Sequence, residues 1–579
     1  MNLSLFLPTT KKECELRGWE QLDIILFSAD AYVDHPAFGA AVIGRVLESE
    51  GFKVAIVPQP DWHGDYRDFK KLGTPRLFFG VCPGCMDSMV NKYTANKRLR
   101  SEDAYSPNGA HDKRPEYPTI VYTKILKELF PDVPVVIGGI EASMRRLTYY
   151  DYWQDKLRPS ILIDSNADLL IYGMGEKPIV AVTKAIAEGK GISMAIPQTA
   201  RICQTLNSET RDEAVMLWSH ADCMKDKRKQ AENIRIIEEQ SNMMHAQRLI
   251  QEVCPKAYVV VEPPFPLLTT AELDRIYDLP FTRQPHPKYK DKHIPAYEMI
   301  RHSITMHRGC FGGCAFCTIS AHQGKFVINR SKESILREVE RITQMPDYKG
   351  YISDLGGPSA NMYGMGGKDK TLCEKCKRPS CAHPTICKNL DVSHKQLLQL
   401  YKEVDKNPKV KKSFIGSGVR YDLVLADKDY GYKYATELIC HHVSGRLKVA
   451  PEHTSDHVLK LMRKPSFELF HEFNRWFEDI CRRAGLPQQL IPYFISSHPG
   501  CTERDMKELA QITRRLNFHL EQVQDFTPTP MTISTEMWFT GLNPYTLEKV
   551  FSARSPKDKL AQRQHFFWYK KENKKQKHP

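Results

Sequence analysis

The chain has 579 residues, of which 41% are hydrophobic and 26% charged, with a formal net charge of +14. Single hydrophobic cores stop growing near about 250–300 residues, so the length implies more than one domain. No apolar run reaches the ~18 residues of a transmembrane helix, and residues 3–7 are too short for a signal peptide, so we expect no membrane insertion and a cytoplasmic location.

The sixteen cysteines favour metal binding over a disulfide framework, because no secretory signal is recognised. The positive charge attracts anionic partners, but the basic runs at 225–229 and 570–578 are typical of solvated faces or tails. No aromatic-rich basic motif accompanies the charge. Nucleic acid is therefore a possible partner that the sequence does not favour.

The first part of the chain alternates predicted strands and helices, which favours a parallel sheet. Apolar strands are predicted at 22–27, 54–57, 133–137 and 168–172, and a helix over 39–50. The strand at 133–137 runs into Gly138-Gly139, and the next one runs into Gly173-Met174-Gly175-Glu176. These two motifs resemble those of cobalamin-binding-like domains, which implies a Rossmann-like domain over residues 1–200.

The same region departs from the pattern that ligates cobalt. Domains that bind cobalamin through histidine carry Asp-x-His-x-x-Gly, whereas Asp34 and His35 are adjacent here and Gly39 comes one residue late. Cobalamin is therefore not expected. Cys82 and Cys85 form a C-x2-C pair, a spacing used by zinc and redox sites, but as a lone pair they are interpreted as incidental thiols.

Residues 201–295 are predicted to be a connector. The stretch 208–252 is charged and contains no glycine or proline, which favours helix. Proline-rich segments at 263–266 and 280–287 follow and are typical of irregular linker.

Three cysteines then follow a predicted strand at 304–307. Cys310, Cys314 and Cys317 have the spacing C-x3-C-x2-C in one glycine-rich loop. A 4Fe–4S cluster normally takes four thiolates, so three can leave one iron open to another ligand. Structural zinc would need a fourth ligand, and none follows at finger-like spacing, although His307 and His322 are near enough in sequence to keep zinc open.

The spacing of these cysteines, with Phe316 before the third, resembles the signature of radical S-adenosylmethionine (SAM) enzymes. Over its whole length the chain most resembles the YgiQ-type radical SAM proteins. The resemblance implies that Cys310, Cys314 and Cys317 hold a 4Fe–4S cluster, that SAM chelates the fourth iron, and that Phe316 lies near the adenine. It also implies reductive cleavage of SAM to a 5′-deoxyadenosyl radical.

The fold class predicted from these patterns is α/β, with a Rossmann-like parallel-sheet domain before a partial (β/α)6 radical SAM barrel over 296–525. Ser331 is predicted to cap a helix whose buried residues are Ile335, Val339 and Ile342. Further strands are predicted at 350–354, 412–415, 447–450 and 491–496. Active sites of such barrels lie at the carboxyl ends of the strands.

Several residues after these strands are candidates for cofactor contact. Gly356 and Gly357 match a glycine element that meets the methionine amino group in radical SAM enzymes. Ser417 and Arg420 lie in a segment that resembles methylthiotransferase-like cores, where polar groups meet the ribose and carboxylate of SAM. An Arg420–Asp422 ion pair is an equal alternative, and Glu452 is a candidate because it should project at the barrel mouth.

A second group comprises Cys373, Cys376, Cys381 and Cys387, inserted between the second and third barrel strands. Four close thiols without an apolar pattern are expected to bind metal, because metal affinity can replace a missing core. An auxiliary iron–sulfur cluster and a structural zinc both satisfy four cysteines, so the choice stays open. Residues 526–579 are predicted to form a C-terminal extension that ends in a basic tail.

The leading functional hypothesis is a radical SAM enzyme of unknown substrate and unknown catalytic residues, served by a flavodoxin- or ferredoxin-like one-electron reductant. One alternative is a methylthiotransferase-like modifier of RNA or protein, suggested by the similar core and the net charge. The other is an iron–sulfur or zinc sensor whose metals only hold structure.

Overall fold

The computed structural model describes residues 3–192, 194–521 and 523–570. The chain divides into two units. We call the first the sheet unit, which holds the described residues of Met1–Asn233, Met243–Leu267 and Asp274–Arg301. The second is the barrel unit, with those of Ile234–Asn242, Leu268–Leu273 and His302–Pro579. The predicted basic tail lies outside the described residues beyond Lys570.

The strands in the first part of the chain are β1 (Ile24–Ser28), β2 (Val33–Asp34), β3 (Val54–Pro58), β4 (Phe78–Cys82), β5 (Val135–Ile137), β6 (Tyr149–Asp151), β7 (Lys156–Arg158), β8 (Leu169–Ile171), β9 (Thr199–Cys203), β10 (Val215–Met216), β11 (Leu249–Cys254), β12 (Ala257–Val261) and β13 (Gln284–Pro285). The helices there are α1 (Lys11–Glu15), α2 (Gly39–Ser49), α3 (Arg67–Lys70), α4 (Ser88–Lys92), α5 (Pro118–Leu129), α6 (Gly139–Ser143), α7 (Ile161–Ser165), α8 (Glu176–Ala187), α9 (Ser208–Arg211), α10 (His220–Lys225), α11 (Lys227–Ser241), α12 (Thr270–Asp278) and α13 (Pro295–Ile300).

Within the described residues, the sheet unit is built on a nine-stranded sheet of order β10-β11-β12-β9-β8-β5-β4-β1-β3. The part β3-β1-β4-β5-β8 is entirely parallel. Every residue of β1 and of β3 is buried, as expected for parallel strands covered on both faces. The predicted α/β fold with a Rossmann-like parallel sheet is confirmed.

The predicted helical connector was wrong. Residues 201–295 do contain α11, but β10, β11 and β12 also lie there and extend the sheet beyond β9. β12 pairs antiparallel with β9 and with β11. Ala257–Val261 carries three successive valines, which suit a buried strand, and its pairing covers the edge that β9 would otherwise expose.

The later strands are β14 (Ser303–Thr305), β15 (His307–Arg308), β16 (Ile328–Asn329), β17 (Tyr351–Ile352), β18 (Asp354–Gly356), β19 (Gly366–Gly367), β20 (Leu390–Asp391), β21 (Lys412–Ser413), β22 (Arg446–Glu452), β23 (Gln489–Ser496) and β24 (Val523–Asp525). The later helices are α14 (Thr318–Gln323), α15 (Lys332–Thr343), α16 (Lys370–Glu374), α17 (Lys395–Asp405), α18 (Tyr421–Ala426), α19 (Gly431–Glu437), α20 (Asp456–Met462), α21 (Phe467–Ala484), α22 (Glu503–Arg515), α23 (Ile533–Thr540) and α24 (Pro556–Gln564).

The barrel unit repeats a strand-then-helix pattern with parallel pairing. β14 pairs with β18, β17 with β21, and β22 with β23, which pairs with β24. A parallel bridge between Val419 and Val449 connects the segment after β21 to β22. These strands form the predicted partial barrel.

Helix patterns explain how the barrel is covered. Ser331 caps α15 by accepting a hydrogen bond from the Ser334 amide, and Ile335, Val339 and Ile342 are buried, as predicted. The long helix α21 buries four phenylalanines spaced three or four residues apart, namely Phe467, Phe470, Phe473 and Phe477. In the C-terminal extension, Phe566 belongs to the same hydrophobic core. The described helices include none that is long and apolar enough to cross a membrane.

Candidate functional site

The loop that carries Cys310, Cys314 and Cys317 follows β15, and we call residues 309–317 the cluster loop. All three thiols are partly exposed. The loop depends on glycine at two positions where the backbone is left-handed. A Cβ on Gly309 (φ +82°) would lie 2.0 Å from the Phe326 carbonyl oxygen, and one on Gly313 (φ +60°) would lie 2.5 Å from that of Pro379.

Segments far apart in sequence hold the cluster loop by its backbone. The Ala315 amide donates to the Met462 carbonyl oxygen over 3.0 Å, and the Ala315 carbonyl oxygen accepts from the Ser534 amide over 2.9 Å. The amide of Cys310 donates to the Gly324 carbonyl oxygen. The loop is therefore fixed between α14, the end of α20 and the start of α23.

The three thiols lie close enough to influence one another. Burial raises the pKa of Cys310, and the Cys314 thiolate raises it further. Burial, with Cys314 and Cys310, raises the pKa of Cys317 to about 12. Three thiolates gathered here repel each other, so a cationic metal or cluster would stabilise them, and this donor set fits an iron–sulfur cluster. In the part of the chain that the structure describes, no three Cys, His, Asp or Glu side chains form a ready-made metal cage, so the thiols would have to close around the group.

Arg420 lies beside these thiols. Its Nη1 atom is 3.9 Å from the Cys314 Sγ atom, while Nε donates to the Asp422 carboxylate over 2.9 Å and Nη2 donates to the other oxygen of that group. The ion pair predicted as one alternative for Arg420 is therefore present. Because the pair leaves Nη1 facing the cluster loop, it does not exclude a contact with a cofactor.

Gly356 and Gly357 end the second barrel strand in crowded surroundings. A Cβ on Gly356 would lie 2.4 Å from the Ser417 Oγ atom, and one on Gly357 would lie 2.6 Å from the His307 Nε2 atom. Asp354 accepts hydrogen bonds from the Ser417 hydroxyl and from the Gly416 amide (2.8 Å). The structure thus brings Ser417 next to Gly356 through Asp354, which the sequence analysis did not single out.

Glu452 ends the fourth barrel strand in an uncommon backbone conformation, with φ +69°. It is 9% exposed. Its carboxylate lies 3.7 Å from Lys464 Nζ, and burial raises its pKa. A non-glycine residue in the left-handed region carries backbone strain, and such residues are often found at functional sites. Glu452 is therefore a candidate for function.

Phe316 packs its ring edge-on against His498, with ring centroids 6.1 Å apart. His498 is fully buried and donates from Nδ1 to the Pro499 carbonyl oxygen, so Nε2 accepts from the Ser534 hydroxyl over 2.7 Å. Burial lowers the pKa of His498 to about 3, which keeps the ring neutral. The sequence analysis gave Ser534 no role in the site, because its partners lie far away along the chain.

The second cysteine group lies in an insertion closed at its base by the antiparallel pair β19–β20. Its four thiols are partly exposed. The insertion contacts the cluster loop directly, since the Cys381 amide donates to the Phe311 carbonyl oxygen over 3.0 Å. The sequence placed the two groups in one domain, but only the structure brings them into contact.

The corresponding end of the parallel sheet in the sheet unit is occupied by ion pairs. β1 and β4 lie side by side where the strand order reverses, a position that binds ligands in many such folds. There Arg114 donates to Asp30 over 2.9 Å and to Asp103 over 2.6 Å, and all three side chains are buried.

The residues considered for cobalt are also engaged within the protein. Asp34 pairs with Arg45, and His35 is buried and accepts at Nδ1 from the Ala37 amide over 3.0 Å. Cys82 and Cys85 lie near the Asp30 carboxylate, and burial raises the pKa of both thiols. High thiol pKa values do not favour redox reactivity.

Comparison with known families and proteins gives consistent matches. Residues 6–303 match the family model described as "Radical SAM N-terminal", and residues 521–575 match a domain of unknown function, DUF3362. The first match ends before Cys310, so it does not itself include the cluster loop.

Full-length relatives are UPF0313 proteins. The one from Bacteroides thetaiotaomicron is 64% identical, over 99% of this chain and 95% of its own length. The one from Porphyromonas gingivalis is 61% identical, over 98% of this chain and 91% of its own. The one from Methanocella arvoryzae is 47% identical, over 95% and 91%. The chain belongs to the UPF0313 family of YgiQ-type radical SAM proteins, which confirms the resemblance inferred from the sequence.

Two solved structures are similar at low sequence identity. One is the radical SAM methyltransferase TsrM from Kitasatospora setae with cobalamin and a 4Fe–4S cluster bound (15% identity, TM-score 0.49, 88% of this chain and 77% of that one). The other is the cobalamin-dependent radical SAM enzyme OxsB with aqua-cobalamin bound (10% identity, TM-score 0.47, 88% and 54%). Neither supports the expectation that cobalamin is absent here, which stays a prediction.

Proposed function

We propose that this UPF0313 chain is an enzyme that binds a 4Fe–4S cluster through Cys310, Cys314 and Cys317 and cleaves SAM reductively to act on an unidentified substrate. The observation that carries the proposal is the presentation of three thiols on one glycine-dependent loop at the carboxyl end of parallel barrel strands. Bound there, such a cluster would supply one electron to the SAM sulfonium, giving methionine and a 5′-deoxyadenosyl radical able to take a hydrogen atom from the substrate.

The protein's part is to hold the cluster loop still. Hydrogen bonds from Ser534 and to Met462 fix Ala315 in the middle of the loop. The Arg420 guanidinium supplies positive charge 3.9 Å from Cys314 Sγ, and Asp422 fixes its orientation. A positive group beside thiolates favours their ionised form, which is the form that binds metal.

SAM would be held by the ends of the neighbouring strands. We assign Gly356 and Gly357 to the methionine amino group, because they lie at the end of β18 and have no side chain to block approach. Arg420 is assigned to the carboxylate through its Nη1 atom, which faces the cluster loop, and Ser417 to the ribose. Glu452 would contact SAM or the substrate from the end of β22, and Phe316 would face the adenine with His498 supporting its ring.

The proposed chemistry needs a one-electron reductant, for which a flavodoxin- or ferredoxin-like protein is the expected partner. Water must also be excluded from the radical, and the aromatic contacts of Phe316, His498 and Phe526 provide an apolar wall for this purpose. The C-terminal extension supports that wall through the hydrogen bond between Ser534 and His498.

The test is anaerobic reconstitution with iron and sulfide, followed by reduction with dithionite in the presence of SAM and measurement of 5′-deoxyadenosine. We expect a cubane signature by electron paramagnetic resonance and 5′-deoxyadenosine formation. A variant with all three cluster-loop cysteines changed to alanine should lose both.

Cys440→Ala is the matched control, because this thiol is also partly exposed in the barrel unit but lies outside both cysteine groups. It should keep wild-type levels. A cubane that forms without any SAM cleavage would favour the sensor alternative, and cleavage that persists without the three cysteines would contradict the proposal.

A further inference from the structure

The insertion with Cys373, Cys376, Cys381 and Cys387 has little apolar material to hold it. Its first half, residues 368–377, is largely exposed, and Leu372 is 60% exposed. The buried cluster nearby includes Met365 and Leu390 but reaches only Cys381, Ile386 and Cys387 of the insertion. Hydrophobic burial alone is a poor explanation for an ordered segment of this kind.

Backbone hydrogen bonds join the four cysteines of the insertion in two pairs. The Cys376 amide donates to the Cys373 carbonyl oxygen over 3.2 Å, which closes a tight turn, and the Cys387 amide donates to that of Cys381 over 2.8 Å, which closes a longer loop. In the described residues the four thiols do not form a ready-made metal cage, so they would have to close around a bound metal.

Polar groups already point at these sulfurs. Lys325 is 1% exposed, and its Nζ atom lies 3.8 Å from Cys376 Sγ. The Asn389 side-chain amide donates to Cys373 Sγ over 3.5 Å. A Cβ on Gly367 would lie 2.3 Å from the same sulfur, so the glycine makes room for it. A buried ammonium and an amide donor are the groups that stabilise a negatively charged tetrathiolate.

The insertion also forms one wall of the cluster loop. Besides the Cys381–Phe311 hydrogen bond, the Ser380 hydroxyl donates to the Gly312 carbonyl oxygen over 2.7 Å. Ser380 is fully buried, and a side chain on the left-handed Gly313 would collide with Pro379 and Ser380. Order in the insertion is thus coupled to order in the cluster loop.

We propose that Cys373, Cys376, Cys381 and Cys387 bind a second metal centre through four thiolates, and that this centre holds the insertion against the cluster loop. Soft thiolate donors select zinc or an iron–sulfur cluster. Lys325 compensates the negative charge of the centre. The coupling to the cluster loop rests on the proposed function, whereas the metal site itself does not.

The second metal site is tested in a variant that lacks the three cysteines of the cluster loop. A Cys310/Cys314/Cys317→Ala variant is purified anaerobically with and without iron–sulfide reconstitution, and zinc, iron and acid-labile sulfide are measured per chain. We expect either about one zinc, or iron with matching sulfide, which distinguishes the two centres. Adding Cys373→Ser and Cys376→Ser should remove that metal, while adding Cys440→Ser should leave it.

A metal-free background variant, or metal that survives loss of Cys373 and Cys376, would overturn the site. These outcomes do not depend on SAM cleavage, so failure of the proposed function is recognised separately. If SAM is not cleaved but the second metal is present, the metal site is supported and only its proposed coupling to the cluster loop is contradicted.

The structural role is tested by limited digestion with trypsin. Lys375 and Lys377 are exposed in the insertion. Removal of the metal by a chelator should speed cleavage at these residues several-fold, and the Cys373→Ser, Cys376→Ser variant should be cleaved at that faster rate without chelator. With the cluster loop intact, the same variant should lose its first cluster faster. Unchanged cleavage and unchanged cluster retention would show that no metal organises the insertion.

Discussion

The carboxyl ends of the parallel strands in the sheet unit and in the barrel unit have similar architecture but carry different side chains. In each unit, parallel strands end together, and in the sheet unit β1 and β4 end where Arg114, Asp30 and Asp103 form buried ion pairs. In the barrel unit the strand ends present thiols, glycines and a buried Glu452 that has only a 3.7 Å contact with Lys464. The topology offers a position for a ligand in both units. The residues at the strand ends decide whether the protein's own side chains occupy that position.

The two regions also differ in how their buried ionisable groups are balanced by neighbouring charges. Burial raises the pKa of Asp30, but Arg114 opposes the rise and pairs with the carboxylate. In the cluster loop, the neighbouring thiolates raise the pKa of Cys317 together with burial. One region is balanced by its own side chains, and the other has an excess of donors that an external cation would balance.

The largest expected difference is in 5′-deoxyadenosine formation, between a variant of a cluster-loop thiol and a variant of a thiol in the sheet unit. Cys314→Ala should reduce 5′-deoxyadenosine formation to background, because it removes a cluster ligand. Cys82→Ala, which changes a partly exposed thiol at the end of β4, should leave it close to the wild-type rate. Both variants are assayed after identical anaerobic reconstitution, and equal losses would remove the distinction between the regions.

The next effect concerns stability of the sheet unit. Arg114→Ala leaves Asp30 and Asp103 buried without their cation, which should lower the free energy of unfolding by about 3–5 kcal/mol. Urea unfolding of the full chain, followed by tryptophan fluorescence, measures this loss. The control is Arg67→Ala, whose pair with Asp65 is 87% and 66% exposed, and it should cost at most about 0.5 kcal/mol. A small loss for Arg114→Ala would mean that this strand end is not held by its charges.

A third comparison separates backbone strain from steric contact in the cluster loop. Gly313→Ala meets both a left-handed backbone and the Pro379 carbonyl oxygen, whereas Gly324→Ala meets the left-handed backbone (φ +90°) with open space around it. We expect Gly324→Ala to cost about 1 kcal/mol and Gly313→Ala about 2 kcal/mol more. Only Gly313→Ala should also lower the iron retained after reconstitution, and equal retention would show that the contact with the insertion is unimportant.

The smallest effect is a pH dependence. Burial opposes ionisation of Glu13, but hydrogen bonds from His286 and Thr9 outweigh it and lower the pKa from 4.5 to about 2. The ionised form therefore stabilises the fold above pH 4.5, and this contribution is lost as the pH falls from 4.5 through 2. Because the Glu13 side chain is partly exposed (13%), solvent screens these contacts and we expect at most about 1.5 kcal/mol.

Thermal unfolding at pH 6 and pH 3 measures this effect. Glu13→Gln should lower stability at pH 6 and show a smaller difference between the two pH values than the wild type. Glu15→Gln is the control, because Glu15 is an exposed residue at the end of the same helix. It should behave as the wild type does. An unchanged pH difference in Glu13→Gln would contradict the assignment.

The sequence by itself determined the local elements of this protein. Apolar runs located the parallel strands, Ser331 marked a helix start, and the cysteine spacing with Phe316 indicated the family. These features depend on residues within a few positions of one another. Where the valine-rich β12 formed inside the predicted connector, local patterns misled because strand pairing with β9 decided the outcome.

Only the tertiary structure decided what surrounds the cluster loop. Met462, Ser534 and Ser380 hold the loop from three directions, yet each lies more than sixty residues away along the chain. Hydrogen bonds to backbone carbonyls leave no signature in the side chains of the loop itself. The sequence therefore indicated the proposed donors of the site, whereas the fold decided which distant segments hold the loop that carries them.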